Sequence, residues 1–104
     1  MNKLEVGMYI RTNKGTIDKI DDKNIMMYEV SLMGFGEKPI KASHNIIDLI
    51  EVGDFVNGWK VTQITNSYVE ICWGRDSDEF IKPENIKSVL TKEQFSSMEY
   101  RLGE

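Results

Sequence analysis

With one histidine and one cysteine among 104 residues, the chain has little with which to run nucleophilic or metal chemistry. His44 sits in the turn-forming triplet Ser43-His44-Asn45 with no cysteine near it in sequence. An isolated imidazole there reads as a surface or capping residue rather than a ligand or general base. Cys72 lies inside the β-prone run Tyr68–Trp73, where a small, half-buried core residue is expected; a nucleophilic pair with His44 requires both in one cleft. Asp76, Asp78 and Glu79 lack the alternating carboxylates, central glycine and distant glutamate of a calcium loop, so Gly74–Glu79 reads as an exposed acidic loop. Glu29 and Glu70 occupy matching places in two apolar runs. On a pleat they point away from their apolar neighbours, into solvent rather than toward a shared acid–base cavity. Gly34-Phe35-Gly36 has neither the glycine spacing nor the Lys-Ser/Thr of a phosphate loop. The expectation is a protein that is not an enzyme and carries no cofactor and no metal.

Binding is better provided for. The 4 tyrosines, 4 phenylalanines and 2 tryptophans must mostly fill a core, but Trp59 beside Asn57-Gly58 and Trp73 beside the acidic loop are expected to be partly exposed. Residues 1–49 hold 7 Lys/Arg against 7 Asp/Glu and residues 50–104 hold 6 against 10, so the whole net charge of −4 lies in the second half. That balance disfavours a phosphate-backbone binder, which needs clustered Lys and Arg, and suits a partner with a basic surface. Trp73, Asp76, Asp78, Glu79 and Trp59 are therefore the candidate partner-binding residues.

The elements that must position them are short and β-prone. Met8–Thr12 and Thr16–Ile20 flank the turn Asn13-Lys14-Gly15, and Ile25–Leu32 reads as a third strand with Tyr28, Val30 and Leu32 on one face. Gly34, Gly36 and Pro39 interrupt it, Ile40-Lys41 resumes, and Ile46–Ile50 closes the unit. The order then recurs: Asp54–Val56, the strong hairpin signal Asn57-Gly58, Trp59–Ile64, Tyr68–Trp73, the acidic loop, and Phe80–Ile86. Leu4-Glu5-Val6-Gly7 matches Ile50-Glu51-Val52-Gly53, Ile17 and Ile20 match Val61 and Ile64, Tyr28-Glu29-Val30 matches Val69-Glu70-Ile71, and Ile40-Lys41 matches Ile81-Lys82. Matches in this order predict two like β units, residues 1–49 and 50–90. In residues 91–104, Thr91 and Gln94 form a capping box, and Phe95, Met98 and Leu102 give a short helix an apolar stripe for docking.

This layout, with Val6-Gly7 and Val52-Gly53 opening the units and a one-turn element at Asn45-Ile46 and Asn85-Ile86, resembles tandem SH3-like small barrels of the KOW and Tudor kind. The fold class the resemblance implies is all-β, two such barrels or half-barrels with a short C-terminal α-helix. The segments Ile46–Val61 and Ile86–Tyr100 also look like those of small proteins carried by bacteriophages and prophages of low-GC Gram-positive bacteria. That resemblance implies a non-catalytic module that binds and blocks a host defence protein, in the manner of an anti-CRISPR. A small-molecule or nucleotide sponge is the alternative, and a nucleic-acid adaptor the third. No apolar run approaches the roughly 18 residues that span a bilayer, and the start lacks a signal-peptide core, so a cytoplasmic monomer or homodimer is expected.

Overall fold

Short β-prone runs separated by glycine turns assemble two antiparallel sheets in the structure, a computed structural model that describes residues 3–34, 36–72 and 78–98. Strands β1 (Tyr9–Thr12), β2 (Ile17–Lys19) and β3 (Pro39–Ser43) form the first sheet, in the order β2-β1-β3, with helix α1 (Ile25–Ser31) between β2 and β3. Strands β4 (Phe55–Val56), β5 (Trp59–Ile64), β6 (Val69–Cys72), β7 (Asp78–Ile81) and β8 (Val89–Leu90) form the second, in the order β7-β6-β5-β4-β8. Single 3-10 turns at Ile46–Leu49 and Pro83–Asn85 precede β4 and β8, and helix α2 (Lys92–Met98) follows. Strands predominate, as an all-β class requires, and among the described residues neither sheet closes into a barrel: β7 and β8 remain edges.

The segment read as a third strand is instead α1. Ile25, Tyr28 and Leu32 are spaced for one face of a helix as well as for a broken pleat. It is the helical spacing that puts Tyr28 in the core with Ile25 and Leu32 against it. Methionine has good helix propensity, and the start is stitched by reciprocal bonds: Asp21 Oδ1 accepts from the backbone of Lys23 and Asn24, while Asn24 Oδ1 accepts from that of Asp21.

The sheets keep separate cores. Leu4, Ile10, Ile20 and Tyr28 fill the first; Ile47, Ile50, Val56, Val61, Val69, Ile71 and Ile81 fill the second, so the 3-10 turn at Ile46–Leu49 already packs with the later strands. A cluster as small as the first holds little free energy by itself, which makes its attachment to the second decisive.

The two openings follow one hydrogen-bonding plan. Gly7 N donates to Ile20 O at 2.9 Å and Met8 O accepts from Ile20 N at 2.8 Å; Gly53 N donates to Val61 O at 3.1 Å and Asp54 O accepts from Val61 N at 2.8 Å. Both glycines have positive φ, 95° and 99°. The plan makes Ile20 the counterpart of Val61, not of Ile64 as sequence spacing suggested. Likewise β3 pairs with β1 as β8 pairs with β4, so Ile40-Lys41 is not the counterpart of Ile81-Lys82. In each unit a carboxylate ahead of the glycine meets a nitrogen-bearing side chain just past the returning strand. Glu5 lies 3.2 Å from His44 Nε2, and Glu51 lies 2.8 Å from Lys92 Nζ.

Candidate functional site

Alternation on β1 sends Ile10 into the first core and Arg11 to the opposite face of the sheet, where the chain's return through residues 46–54 and the start of α2 cover it completely. The guanidinium is met on several sides. Its Nη1 donates to Asp54 Oδ2 at 2.5 Å and Leu49 O at 3.0 Å, and its Nη2 donates to Asp54 Oδ1 at 3.0 Å and Glu93 Oε2 at 2.6 Å. Asp54, also fully buried, further accepts from the backbone of Glu51 and Lys92 at 2.7 and 2.9 Å. Arg11 Nε is buried without a hydrogen-bond partner, 3.7 Å from Glu51 Oε2. Burial works against the charge, but Asp54 and Glu93 outweigh it and the Arg11 pKa is raised. The node is a structural clamp: a fixed cation held by a bidentate carboxylate offers no labile proton and no vacant position for substrate.

Around it, Glu51 receives Lys41 Nζ at 2.7 Å on Oε2 and Lys92 on Oε1. Those bonds from Lys41 and Lys92, opposed by partial burial and helped by the charge of Arg11, lower its pKa from 4.5 to about 2. A depressed carboxylate stabilises the fold above its unfolded pKa and loses that contribution as pH falls. The wild-type protein should therefore lose stability between pH 4.5 and 2 by on the order of 1–2 kcal/mol more than Glu51→Gln, a figure discounted because both lysines are partly in solvent. Urea midpoints at several pH values measure this, and parallel pH profiles would refute it.

The capping box at α2 is present: Gln94 Oε1 accepts from Thr91 N at 3.1 Å and Thr91 Oγ1 accepts from Gln94 N at 3.3 Å. Phe95 packs its ring 5.0 Å from that of Phe55 but stays half-exposed. Leu102 and the Met98 side chain lie outside the described residues.

Of the candidate partner-binding residues, Trp73 and Asp76 lie outside the described residues. Asp78 and Glu79 belong to β7 rather than to a loop, pairing with Cys72 and Ile71. Trp59, 45% exposed, and Glu79 share the wall of a groove of about 240 Å³ with Phe80, at the open end of the second core. His44 is exposed beside Glu5. Glu29 stands on α1 and Glu70 on β6, so they are not counterparts. Among the described residues no group of three His, Cys, Asp or Glu is placed to hold a metal, and no helix is long and apolar enough to cross a membrane.

Sequence reasoning missed a larger feature. The outward face of α1 and the turn after it carries Met26, Met27, Val30 and Met33, exposed by 75, 55, 48 and 78%. An open groove of about 560 Å³ runs along it, lined by Met26, Met27, Tyr28, Val30, Ser31, Gly36 and Glu37. Its signal was in the sequence, since 26, 30 and 33 are spaced i, i+4, i+7, but only a helical reading of the segment exposes it. Comparison with protein-family models, curated proteins and solved structures finds no match to this chain.

Proposed function

We propose that the chain is a non-catalytic protein-binding module that holds its partner on the methionine face of α1. The observation that carries this reading is the contiguous exposure of Met26, Met27, Val30 and Met33 on a helix whose other face is anchored in the core. Water-facing apolar patches on a small domain mark contact surfaces, and methionine, flexible and polarizable, moulds itself to a partner. The order of the second sheet, a hairpin, two further strands, a 3-10 turn and a last strand returning beside the first, supports an SH3-like layout for that unit. Blocking a basic surface on a bacterial defence protein, as the phage resemblance suggests, is a use to which such a module is suited. The Trp59–Glu79 groove, less than half the size, serves in this reading as a secondary contact.

Met26→Glu/Met33→Glu tests the reading, since both side chains stand in solvent and the fold should survive the change. A protein retained in stoichiometric amount by the immobilised wild-type chain should be lost by the double variant and kept by Asp22→Lys, an exposed control. Retention of the same proteins by all three folded chains would move the binding surface off α1.

A further inference from the structure

The groove beside α1 is not uniformly apolar. Glu37 forms part of its wall, and its carboxylate is held in place by a hydroxyl: Thr12 Oγ1 donates to Glu37 Oε2 at 2.8 Å. Thr12 is in turn fixed, fully buried on β1 with its oxygen accepting from the backbone of Lys14 and Thr16. Lys14 is near enough for its charge to act on Glu37 but forms no ion pair with it, whereas Glu51 takes part in ion pairs with three cations. Hydrogen bonds from Thr16 and Thr12 and the charge of Lys14, against some burial, keep the Glu37 pKa below the ordinary carboxylate value. Lys38 points to a separate recess with Leu32, Pro39 and Ile40, and Lys23 stands at the turn before α1, outside the lining of this groove.

Resting on the module reading above, we infer that the occupant of this groove is a partner segment that sets an apolar side chain among Met26, Met27 and Val30 and places an arginine or lysine against Glu37. The chemistry is that of helix-in-groove or extended-segment recognition, in which apolar anchors supply contact area and one charge fixes register. A carboxylate held on one oxygen by Thr12 at the edge of an apolar wall suits a guanidinium, because its orientation is partly set before the partner arrives.

The test uses the full chain and two fluorescent peptides of alternating leucine and alanine, alike except that one carries a central arginine and the other glutamine there. The wild-type chain should bind the arginine peptide about tenfold more tightly, and Glu37→Gln, shown folded by circular dichroism, should bring the ratio of the two affinities close to one. Equal binding of both peptides, lost in Met26→Glu/Met33→Glu, would overturn the cation assignment and leave the module reading intact. Binding of neither peptide would overturn the inference as stated, and the retention experiment above then decides the module reading separately. Self-association of the chain abolished by Met26→Glu/Met33→Glu would also overturn it, by naming a second copy as the occupant.

Discussion

Arg11→Met is expected to cost about 3–5 kcal/mol of folding stability. The reason is what remains behind. Asp54 is fully buried, and without Arg11 its carboxylate keeps only the amides of Glu51 and Lys92. Leu49 O also loses its donor, while Glu93, about a third exposed at its side chain, can turn to water. Arg11→Lys retains a charge but cannot span both Asp54 oxygens and Glu93 together, so it should recover only part of the loss. Arg11→Met/Asp54→Asn should lie above Arg11→Met alone, since it removes the orphaned charge and keeps an acceptor for the amides of Glu51 and Lys92. Urea denaturation of the four proteins measures the series. A loss under about 1 kcal/mol for Arg11→Met would show that the node is solvated in solution and does not clamp the sheets.

A buried ion pair is weak evidence for net stability, because desolvation offsets attraction; its better-attested use is to fix register between parts. Here the parts are two sheets with separate cores, and Arg11 of the first is held by Asp54 of the second and Glu93 of α2. Few apolar arrangements would specify that seam so narrowly, since apolar contacts tolerate sliding and a bidentate pair does not.

The parts of this design that are local were legible in the sequence. Asn57-Gly58 was read as a hairpin turn because two adjacent positive-φ positions favour that dipeptide, and β5 begins at Trp59 as expected. Thr91 and Gln94 cap α2 because the partners lie within one turn of each other. The distant parts were not legible. Nothing near Arg11 in sequence announces burial, because its partners lie 43 and 82 residues away and the strand's alternation alone would have placed it in solvent. The α1 segment was lost for a different reason: Ile25–Leu32 satisfies a period of two through Tyr28, Val30 and Leu32 and a helical period through Ile25, Tyr28 and Leu32. The choice between them was made by packing against Ile10 and Ile20, which only the fold supplies. A period of two divides the methionine face between the two sides of a strand, which leaves Trp73 and the acidic loop as the more prominent candidates.

Gly15→Ala should also be strongly destabilising, and a comparison with Gly58→Ala separates its two causes. Both glycines have nearly the same positive φ, 85° and 86°, so both substitutions carry the same backbone strain of roughly 1–2 kcal/mol. A Cβ at Gly58 meets nothing within 4 Å, whereas one at Gly15 would stand 2.8 Å from Glu93 Cβ and 2.9 Å from its Oε2, and would overlap Thr91 Oγ1. Thr91 is fully buried and donates to Gly15 O at 2.8 Å, while Glu93 holds Arg11, so the hairpin tip cannot give way without loosening the α2 cap and the clamp together. A further loss of about 1–3 kcal/mol is expected at Gly15 for those bonds. Thermal and urea unfolding of the two variants should therefore differ clearly, with Gly15→Ala the less stable. Equal destabilisation would mean that the β1–β2 tip does not bear on α2 in solution.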